Sequence, residues 1–490
     1  EYDYQKASAL ALVLLIPTLV VFLVQRYYVT RRSYISVTGK PTGGHILEKE
    51  AWIRWPFIII TYLVCGLIVL LYLSIIFGSF STAWGVDYTP TLRWWQYTLT
   101  RGIESILDTT FLSAFATPIA GLTGMVIAFL VVRKVFSGKE VLDFVSNLGG
   151  AVPGTILGIG FVLAFNLPPF LAVGLLYGLL AVFLTRTTLD VSRDQWLALI
   201  VGTGVGLALA LGFGQEGGLL LLYMVAGIYV ALGIFFGLAR KQRLAATLLI
   251  GLGLYLFSSD LIEFAVQPLT DWSRAVERGF WSNALFQIPD HIKVFFQIPT
   301  PILAIPYSIA LVIAIGKEKG RARIVLTTAA VALVAAMCFM GRPLALVGTP
   351  YIIVAAFIVR SLSASVRAGV AALQQIDPSI EEASAILGGD AQYTFRKVTL
   401  PLIVPALLAG LIFSFTRHMT SLSAIIFLVS ARWRIITASI LSEWEQGGIS
   451  IAAAYSSLII FVVLIAIGVL YVATTRLLRG RGGVDLTLGL

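Results

Sequence analysis

Long apolar runs separated by short basic segments limit what this 490-residue chain can fold into. A helix needs about 20 apolar residues to cross the hydrocarbon core of a bilayer. Hydrophobic residues make up 58% of the chain and charged residues only 12%, whereas a soluble protein carries about 25% charged residues. This composition excludes a disordered chain, a disulfide scaffold and an ordinary soluble enzyme. It predicts an all-α polytopic membrane protein.

The apolar runs predict about 13 membrane-spanning helices. Their ranges are 7–25, 55–78, 110–132, 149–166, 168–185, 195–213, 218–239, 243–258, 299–316, 323–341, 343–361, 401–418 and 452–475. Basic residues cluster after every odd-numbered span, as at Arg31-Arg32 and Arg133-Lys134, and Arg360 and Arg367 are assigned to the loop after span eleven. Because cytoplasmic loops are rich in Lys and Arg, these segments and the C-terminus are predicted to be cytoplasmic. The same loops account for the net charge of +10, so no nucleic-acid partner is predicted.

The predicted cytoplasmic segment 362–400 differs from the other loops because it contains acidic as well as basic residues. Asp377-Pro378 is typical of a helix N-cap followed by a proline in the first turn. Glu381 and Glu382 then fall in the first turn, where the helix dipole favours acidic residues. The sequence therefore predicts a short cytoplasmic helix that begins after Asp377.

The same helix is predicted to have one apolar face and a defined end. Its face is formed by Ile380, Ala383, Ile386 and Leu387. Gly388-Gly389 supplies a stop that can take positive φ, and Asp390 caps a second helix that is predicted to end before Pro401. An anionic lipid surface would repel the acids of this segment. A protein partner is therefore favoured over a helix that lies on lipid.

These residues resemble the EAA loop of inner-membrane permeases of binding-protein-dependent ABC importers. The resemblance is carried by Glu382-Ala383-Ser384, Gly388 and Val398-Thr399-Leu400-Pro401, with Ser384 in place of the second Ala and Val398 in place of the usual Ile. It implies a role in coupling to an ATPase for a set of eight residues. The set is Asp377, Glu381, Glu382, Ala383, Ser384, Gly388, Gly389 and Pro401.

The resemblance also implies the partners and the location of the chain. In this family the loop sits in a groove of a cytoplasmic ABC ATPase dimer, an extracytoplasmic binding protein delivers substrate, and a second permease domain completes the importer. The chain has no G-x-x-x-x-G-K-[ST] run, so ATP and Mg are expected on the partner ATPase and no cofactor on this chain. We expect a transport subunit in a prokaryotic cytoplasmic membrane, not an enzyme.

Regions that resemble the permease domain are most similar to fused ferric-iron permeases, so the fold expected is a type I ABC importer permease core. Residues 49–168 resemble its first part and 343–490 its second part. Residues 169–342 interrupt it as an insertion of six spans. Because 1–48 resembles the end of the chain, we interpret it as the last helix and linker of a missing first permease domain. On this hypothesis, the sequence starts inside a longer precursor.

The most polar membrane stretch lies in 413–423 and, with broken span four, predicts the translocation path. Its candidate residues are Pro153, Thr155, Ser414, Thr416, His418, Thr420 and Ser421. For His418 the alternative is an interfacial group that reaches water. No metal site is predicted. The family resemblance alone makes ferric iron the first expectation for the substrate, ahead of thiamine, polyamine or phosphonate.

Two other functions are compatible with a polytopic chain. An ion-coupled secondary transporter would need ionisable residues inside its helices, and most of these spans have none. A membrane scaffold or membrane-embedded enzyme would need clustered His, Asp or Glu at the membrane face, which the sequence does not show.

Overall fold

A computed structural model describes residues 4–24, 50–166, 193–214, 219–240, 242–275, 288–289, 292–293, 300–318, 320–339, 346–430 and 432–479. The chain divides into two compact units. The first unit comprises Glu1–Val162 and Gly348–Leu490, and the second comprises Leu163–Val347. The range of the predicted insertion, 169–342, falls inside the second unit.

The N-terminal part of the first unit is helical apart from one small hairpin. Its elements are α1 (Tyr4–Val24), α2 (Ala51–Ser79), β1 (Ser81–Ala83), β2 (Asp87–Pro90), α3 (Arg93–Arg101), α4 (Ile103–Arg133), α5 (Lys139–Ala151) and α6 (Gly154–Asn166). Strands β1 and β2 pair antiparallel, with Ser81 opposite Pro90.

The second unit contributes six described helices. They are α7 (Arg193–Gly214), α8 (Leu219–Arg240), α9 (Arg243–Leu256), α10 (Ser258–Ala275), α11 (Thr300–Lys317) and α12 (Arg321–Phe339). Its core is built from buried leucines and alanines that include Leu249, Leu311 and Leu326. Close van der Waals packing of these side chains holds the helices of this unit together.

The C-terminal part of the first unit holds the predicted EAA loop. Its elements are α13 (Pro350–Gln375), α14 (Pro378–Ile386), α15 (Ala391–Thr394), a π-helical turn (Phe395–Thr399), α16 (Leu400–Met419), α17 (Ile436–Glu445) and α18 (Ile449–Arg479). Helices are therefore the main secondary structure of the described residues, with β1 and β2 as the two strands, and the all-α class of the sequence analysis is confirmed.

Helices α4 and α13 form the centre of the first unit because each carries a buried stripe at four-residue spacing. On α4 the stripe is Leu112, Ala116, Ala120, Gly124 and Ala128, and on α13 it is Ile353, Phe357, Ser361, Ser365, Gly369 and Leu373. A Cβ atom added at Gly124 would lie 2.5 Å from the Cβ of Ser365. Small residues at this spacing let two helix backbones approach closely, which favours association in a membrane.

Every predicted span that includes described residues overlaps a described helix. By length and hydropathy, four of the described helices can cross a membrane, namely Arg54–Ser79, Ile103–Arg133, Pro350–Gln375 and Ile449–Val472. The number rises to seven if each of three bent helix pairs is one span. The predicted span 168–185 lies outside the described residues, so the number of about 13 stays a prediction.

The predicted span 149–166 is broken, and the structure shows why. Helices α5 and α6 meet at an angle of 109°. Val152 has extended backbone between them, and Pro153 follows it. Because proline disfavours helical backbone in the residue before it, α5 ends there and α6 starts in a new direction.

The segment 362–400 differs from its prediction at both ends. Helix α13 continues to Gln375, so Arg360 and Arg367 lie within a helix and their assignment to the loop after span eleven is wrong. Helix α15 itself ends at Thr394, but the helical backbone does not stop before Pro401 as predicted, because the π-helical turn joins α15 to α16. Pro401 lies in the first turn of α16, a position where its missing N–H costs little.

Candidate functional site

Two aspartates set the beginnings of the short helices in the loop. The Asp377 carboxylate accepts the N–H of Ser379 at 2.9 Å, and this hydrogen bond lowers the pKa of Asp377. The Asp390 carboxylate accepts the N–H of Tyr393 at 2.6 Å, at the start of α15. Both predicted N-caps are confirmed, and each satisfies an amide that has no acceptor inside its helix.

The turn between α14 and α15 requires both of its glycines. Gly388 has φ of 86°, which a residue with a side chain adopts only at a cost. The N–H of Gly389 donates to the carbonyl oxygen of Ser384 at 2.9 Å. A Cβ at Gly389 would lie 2.7 Å from the Ser384 hydroxyl. The predicted stop is confirmed, with one glycine needed for backbone conformation and the other for space.

Ser384 joins the two short helices. Its side chain is only 8% exposed, and its hydroxyl lies 2.8 Å from the hydroxyl of Thr394. A buried polar group needs such a partner, because an unpaired one costs free energy. The serine at this position therefore does more than replace a small alanine, since it fixes α15 against α14.

A charged cluster, which we call the Arg133 clamp, attaches the loop to the ends of two membrane helices. The clamp consists of Arg133, Glu381 and Thr399. Arg133 Nε donates to Glu381 Oε1 at 3.1 Å, and the Thr399 hydroxyl donates to the same oxygen at 3.0 Å. Arg133 also donates to the carbonyl oxygens of Leu373 at 3.0 Å and Ile376 at 2.7 Å. The clamp therefore ties α14 to α4, α13 and the π-helical turn.

Sequence reasoning assigned Arg133 to a basic loop and did not include it or Thr399 among the site residues. Arg133 and Glu381 are 248 positions apart, so no local spacing relates them. The only local signal is that Arg133 ends a long apolar run, where a basic side chain can reach the carbonyls at a helix C-terminus.

The apolar face of α14 is unpartnered within the described chain. Ile386 is 85% exposed and Leu387 is 88% exposed, although the same helix is held in place by the clamp. Ala383 and Glu382 are also exposed. Beside this face lies a hollow of about 590 Å³, lined by Ile380, Ala383, Ser384, Leu387, Gly388, Gly389, Asp390, Tyr393 and Val398. A fixed helix with an open apolar face is suited to enter a partner's groove.

The break between α5 and α6 brings part of the predicted path together with an arginine. Arg360, on α13, donates from Nη1 to the Ser423 hydroxyl at 2.7 Å. A Cβ at Gly154, the first residue of α6, would collide with both the Arg360 guanidinium and the Ser423 hydroxyl. Pro153 therefore lies next to this contact, and Thr155 is exposed one residue beyond Gly154.

The polar residues of the stretch 413–423 do not share one surface. The Ser414 hydroxyl is buried and lies 3.2 Å from that of Ser365 on α13. Thr416 donates to the carbonyl of its own helix at Ile412, and exposed Thr420 donates to that of Thr416. Ser421 is 8% exposed, and its hydroxyl has no partner among the described residues.

His418 lies in the packing between α4, α13 and α16. It is 1% exposed, so the alternative in which it reaches water is wrong. Nδ1 lies 3.2 Å from the Thr117 hydroxyl, and Nε2 lies 2.9 Å from the Ser361 hydroxyl and 3.0 Å from the Phe357 carbonyl oxygen. The imidazole also stacks on the Phe357 ring at 4.9 Å. Both ring nitrogens are satisfied, as burial requires.

Comparison with known proteins relates the chain to ferric transport permeases. It is 25% identical over 469 residues to the ferric transport system permease protein FbpB of Actinobacillus pleuropneumoniae, covering 95% of this chain and 43% of that protein. It is 36% identical over 179 residues to the putative ferric transport system permease protein FbpB 1 of Haemophilus influenzae, covering 36% of this chain and 28% of that protein. The chain thus spans less than half the length of these two relatives.

A third relative is matched over most of its length. The putative ferric transport system permease-like protein AfuB of Escherichia coli K12 is 46% identical over 90 residues, which cover 18% of this chain and 75% of AfuB. No protein-family model matches the chain.

Within the described residues, no group of three or more His, Cys, Asp or Glu side chains could hold a metal ion.

Proposed function

Because the chain belongs to the family of ABC importer permeases, we propose that it forms the translocation path of an ATP-driven importer and couples that path to a cytoplasmic ATPase. The observation that carries this proposal is the geometry of α14. Its apolar face is open, while the Arg133 clamp holds its first turn against the ends of the membrane helices.

The proposed coupling uses the clamp to transmit force. An ATPase dimer binds ATP and Mg, and its groove receives α14 through Ile386, Leu387 and the small residue Ala383. When the ATPase closes, α14 moves as one body because it is capped at Asp377 and joined to α15 through Ser384. Glu381 passes the displacement to α4 through Arg133 and to α16 through Thr399.

The proposed path lies in the first unit, where α4, α13 and α16 pack with the broken pair α5–α6. Residues 49–168 and 343–490 form the permease domain, and 169–342 is an insertion. A substrate-binding protein delivers cargo on the side opposite α14, and a second permease domain completes the importer. The loop 362–400 and the C-terminus are cytoplasmic. Ferric iron is the proposed cargo, and the names of three relatives support it.

The coupling role is tested by co-purification with the ATPase. The full-length protein is expressed with its importer partners, and Leu387→Asp is compared with Val86→Asp. Both side chains are 88% exposed, but Val86 lies at the β1–β2 turn in another region of the first unit. We expect Leu387→Asp to lower the amount of bound ATPase about tenfold, because the charge would be desolvated in the groove.

Val86→Asp should retain the ATPase at the level of the unchanged protein. The coupling assignment would be overturned if Leu387→Asp kept both the associated ATPase and substrate-stimulated ATP hydrolysis. It would also be overturned if both variants lost the ATPase equally, because the effect would then not depend on α14.

A further inference from the structure

Two arginines of the first unit lie far along their helices from the loop that contains α14. At 1.5 Å per residue, Arg360 is about 22 Å from the end of α13 at Gln375, and Arg417 lies in the last turn of α16, at the end of that helix away from Leu400. The ends at Gln375 and Leu400 both adjoin the loop that contains α14. Nε2 of His418 on α16 lies 2.9 Å from the Ser361 hydroxyl on α13, so the preceding residues, Arg417 and Arg360, lie at the same level of the packed helices. They therefore place two positive charges at one depth of the membrane domain.

Neither charge is neutralised within the part of the chain that the structure describes. No carboxylate of a described residue forms an ion pair with Arg360 or Arg417, in contrast to Arg133 and Glu381. The Nε atoms of both arginines are buried and have no hydrogen-bond partner there. A charged side chain at membrane depth is costly unless it is paired or faces a pathway. Two such charges at the same level favour a negative group as their partner.

The surroundings of Arg360 add further hydrogen-bond donors. Helix α6 begins at Gly154 against the Arg360 guanidinium, and the first amides of a helix have no intrahelical acceptor and carry partial positive charge. Ser423 already contacts Arg360 through its hydroxyl. The hydroxyl of Ser421, two residues earlier, has no hydrogen-bond partner in the described part of the chain. These donors match an acceptor-rich anion and would repel a bare cation.

We propose that Arg360 and Arg417 form a binding site for an oxyanion, with Ser423 as a neutral donor. Guanidinium groups bind carboxylate and phosphate oxygens through two parallel hydrogen bonds, which suits such a ligand. Since this inference rests on the proposed translocation path, it defines the cargo as anionic. The cargo is either a free oxyanion or a ferric ion enclosed by oxyanion ligands.

The proposal is tested by equilibrium binding to the full-length protein in detergent, without the ATPase. The probes are radiolabelled phosphate, ferric citrate, and ferric maltol as a neutral chelate. We expect phosphate or ferric citrate to bind. Arg360→Gln and Arg417→Gln should each weaken that binding about tenfold, because a charge-assisted hydrogen bond is lost.

Two further variants separate a binding effect from misfolding. Arg360→Lys keeps the charge without the planar fork and should recover part of the affinity. Arg367→Gln is the matched control, because Arg367 lies on the same helix and donates to the Asn147 side chain at 3.3 Å. It should bind the probes as the unchanged protein does. Each variant is first shown to elute from gel filtration at the same volume.

The pattern of binding identifies the source of the oxyanion. Binding of phosphate alone indicates a free oxyanion, and binding of ferric citrate alone indicates an enclosed ferric ion. Binding of ferric maltol in preference to both, or unchanged affinity in Arg360→Gln and Arg417→Gln, would overturn the proposal. Because no ATPase is present, this measurement is independent of the coupling test. Retained ATPase in Leu387→Asp would overturn the coupling role alone, and unchanged affinity in Arg360→Gln and Arg417→Gln would overturn the oxyanion site alone.

Discussion

The Arg133 clamp and the Arg360–Arg417 pair place the same side chain in opposite situations. Arg133 has a carboxylate at 3.1 Å and two carbonyl oxygens, so its charge and its donors are used within the chain. Arg360 has one hydroxyl at 2.7 Å, and its Nε has no partner among the described residues. The first arginine is explained by the fold and the second is not.

This difference separates structural from functional charge. An arginine with a carboxylate holds elements together, and removal of one partner leaves the other uncompensated. An arginine without a carboxylate partner keeps hydrogen-bond donors that a ligand can use. Its unpaired charge costs free energy, which the rest of the fold must offset. Changes in the Arg133 clamp are therefore expected to affect stability and coupling, whereas changes in the Arg360–Arg417 pair are expected to affect oxyanion binding.

The largest effect is expected when the clamp is broken. Glu381→Ala should destabilise the protein by about 3 kcal/mol, because it leaves the Arg133 charge without its carboxylate. The midpoint of thermal unfolding in detergent should fall accordingly. Glu382→Ala is the matched control, since Glu382 is the neighbouring exposed residue, and its midpoint should change little.

A double variant sharpens the test of the clamp. Arg133→Leu combined with Glu381→Ala should be less destabilising than the sum of the two single changes, because no charge is left unpaired. Additive effects would show that the two side chains contribute independently and that the clamp is not a unit.

The next effect comes from giving Arg360 the partner that Arg133 has. Ser423→Asp places a carboxylate within reach of the Arg360 guanidinium. This carboxylate would compete with the oxyanion for the guanidinium and would repel it. Binding of phosphate or ferric citrate should weaken at least about tenfold, while the midpoint of thermal unfolding stays the same or rises. Ser423→Ala is the control for loss of the hydroxyl, and equal binding in Ser423→Asp and Ser423→Ala would contradict the comparison.

Local chemistry explains which parts of this contrast the sequence could predict. The caps at Asp377 and Asp390 and the stop at Gly388 depend on residues within three positions of one another, so their pattern was sufficient. The clamp was missed because its members come from distant segments. Arg360 was assigned to a loop because counting basic residues near the end of an apolar run does not show where the helix ends.

A smaller effect is expected at the turn that shapes the loop. Gly388→Ala should cost roughly 1 kcal/mol, because alanine is strained at positive φ. Gly410→Ala is the control, since Gly410 lies inside α16 with open space around it and alanine is the better helix former. The midpoint of thermal unfolding should fall for the first variant and not for the second; a fall in both would indicate a general intolerance of substitution.

The smallest effect concerns the cap of α14. The Ser379 N–H lowers the pKa of Asp377, so the ionised carboxylate stabilises the folded loop. This stabilisation is present above the usual pKa of an aspartate and is lost as the pH falls through the lowered value. Hydrogen exchange corrected for intrinsic rates should show less protection of α14 at low pH. Asp377→Asn, which still caps, should remove the pH dependence, and an unchanged dependence would contradict the assignment.

Sequence reasoning also failed where tertiary structure overrides a local signal. Pro401 was predicted to follow the end of a helix, since proline disfavours helical backbone before it. The chain instead continues through the π-helical turn into α16. His418 was ambiguous because the residues that satisfy it, Thr117, Phe357 and Ser361, come from two other helices. The sequence of one segment does not show which residues of distant segments will contact it.

The π-helical turn at Phe395–Thr399 influences how the loop helices are rotated about the axis of α16. A π turn closes its hydrogen bonds over five residues, one more than an α turn, and one residue corresponds to about 100° of rotation about the helix axis. The extra residue therefore sets the angular position of α14 and α15 relative to the faces of α16. Shortening this turn by one residue would keep every side chain of α14 yet point its apolar face in another direction.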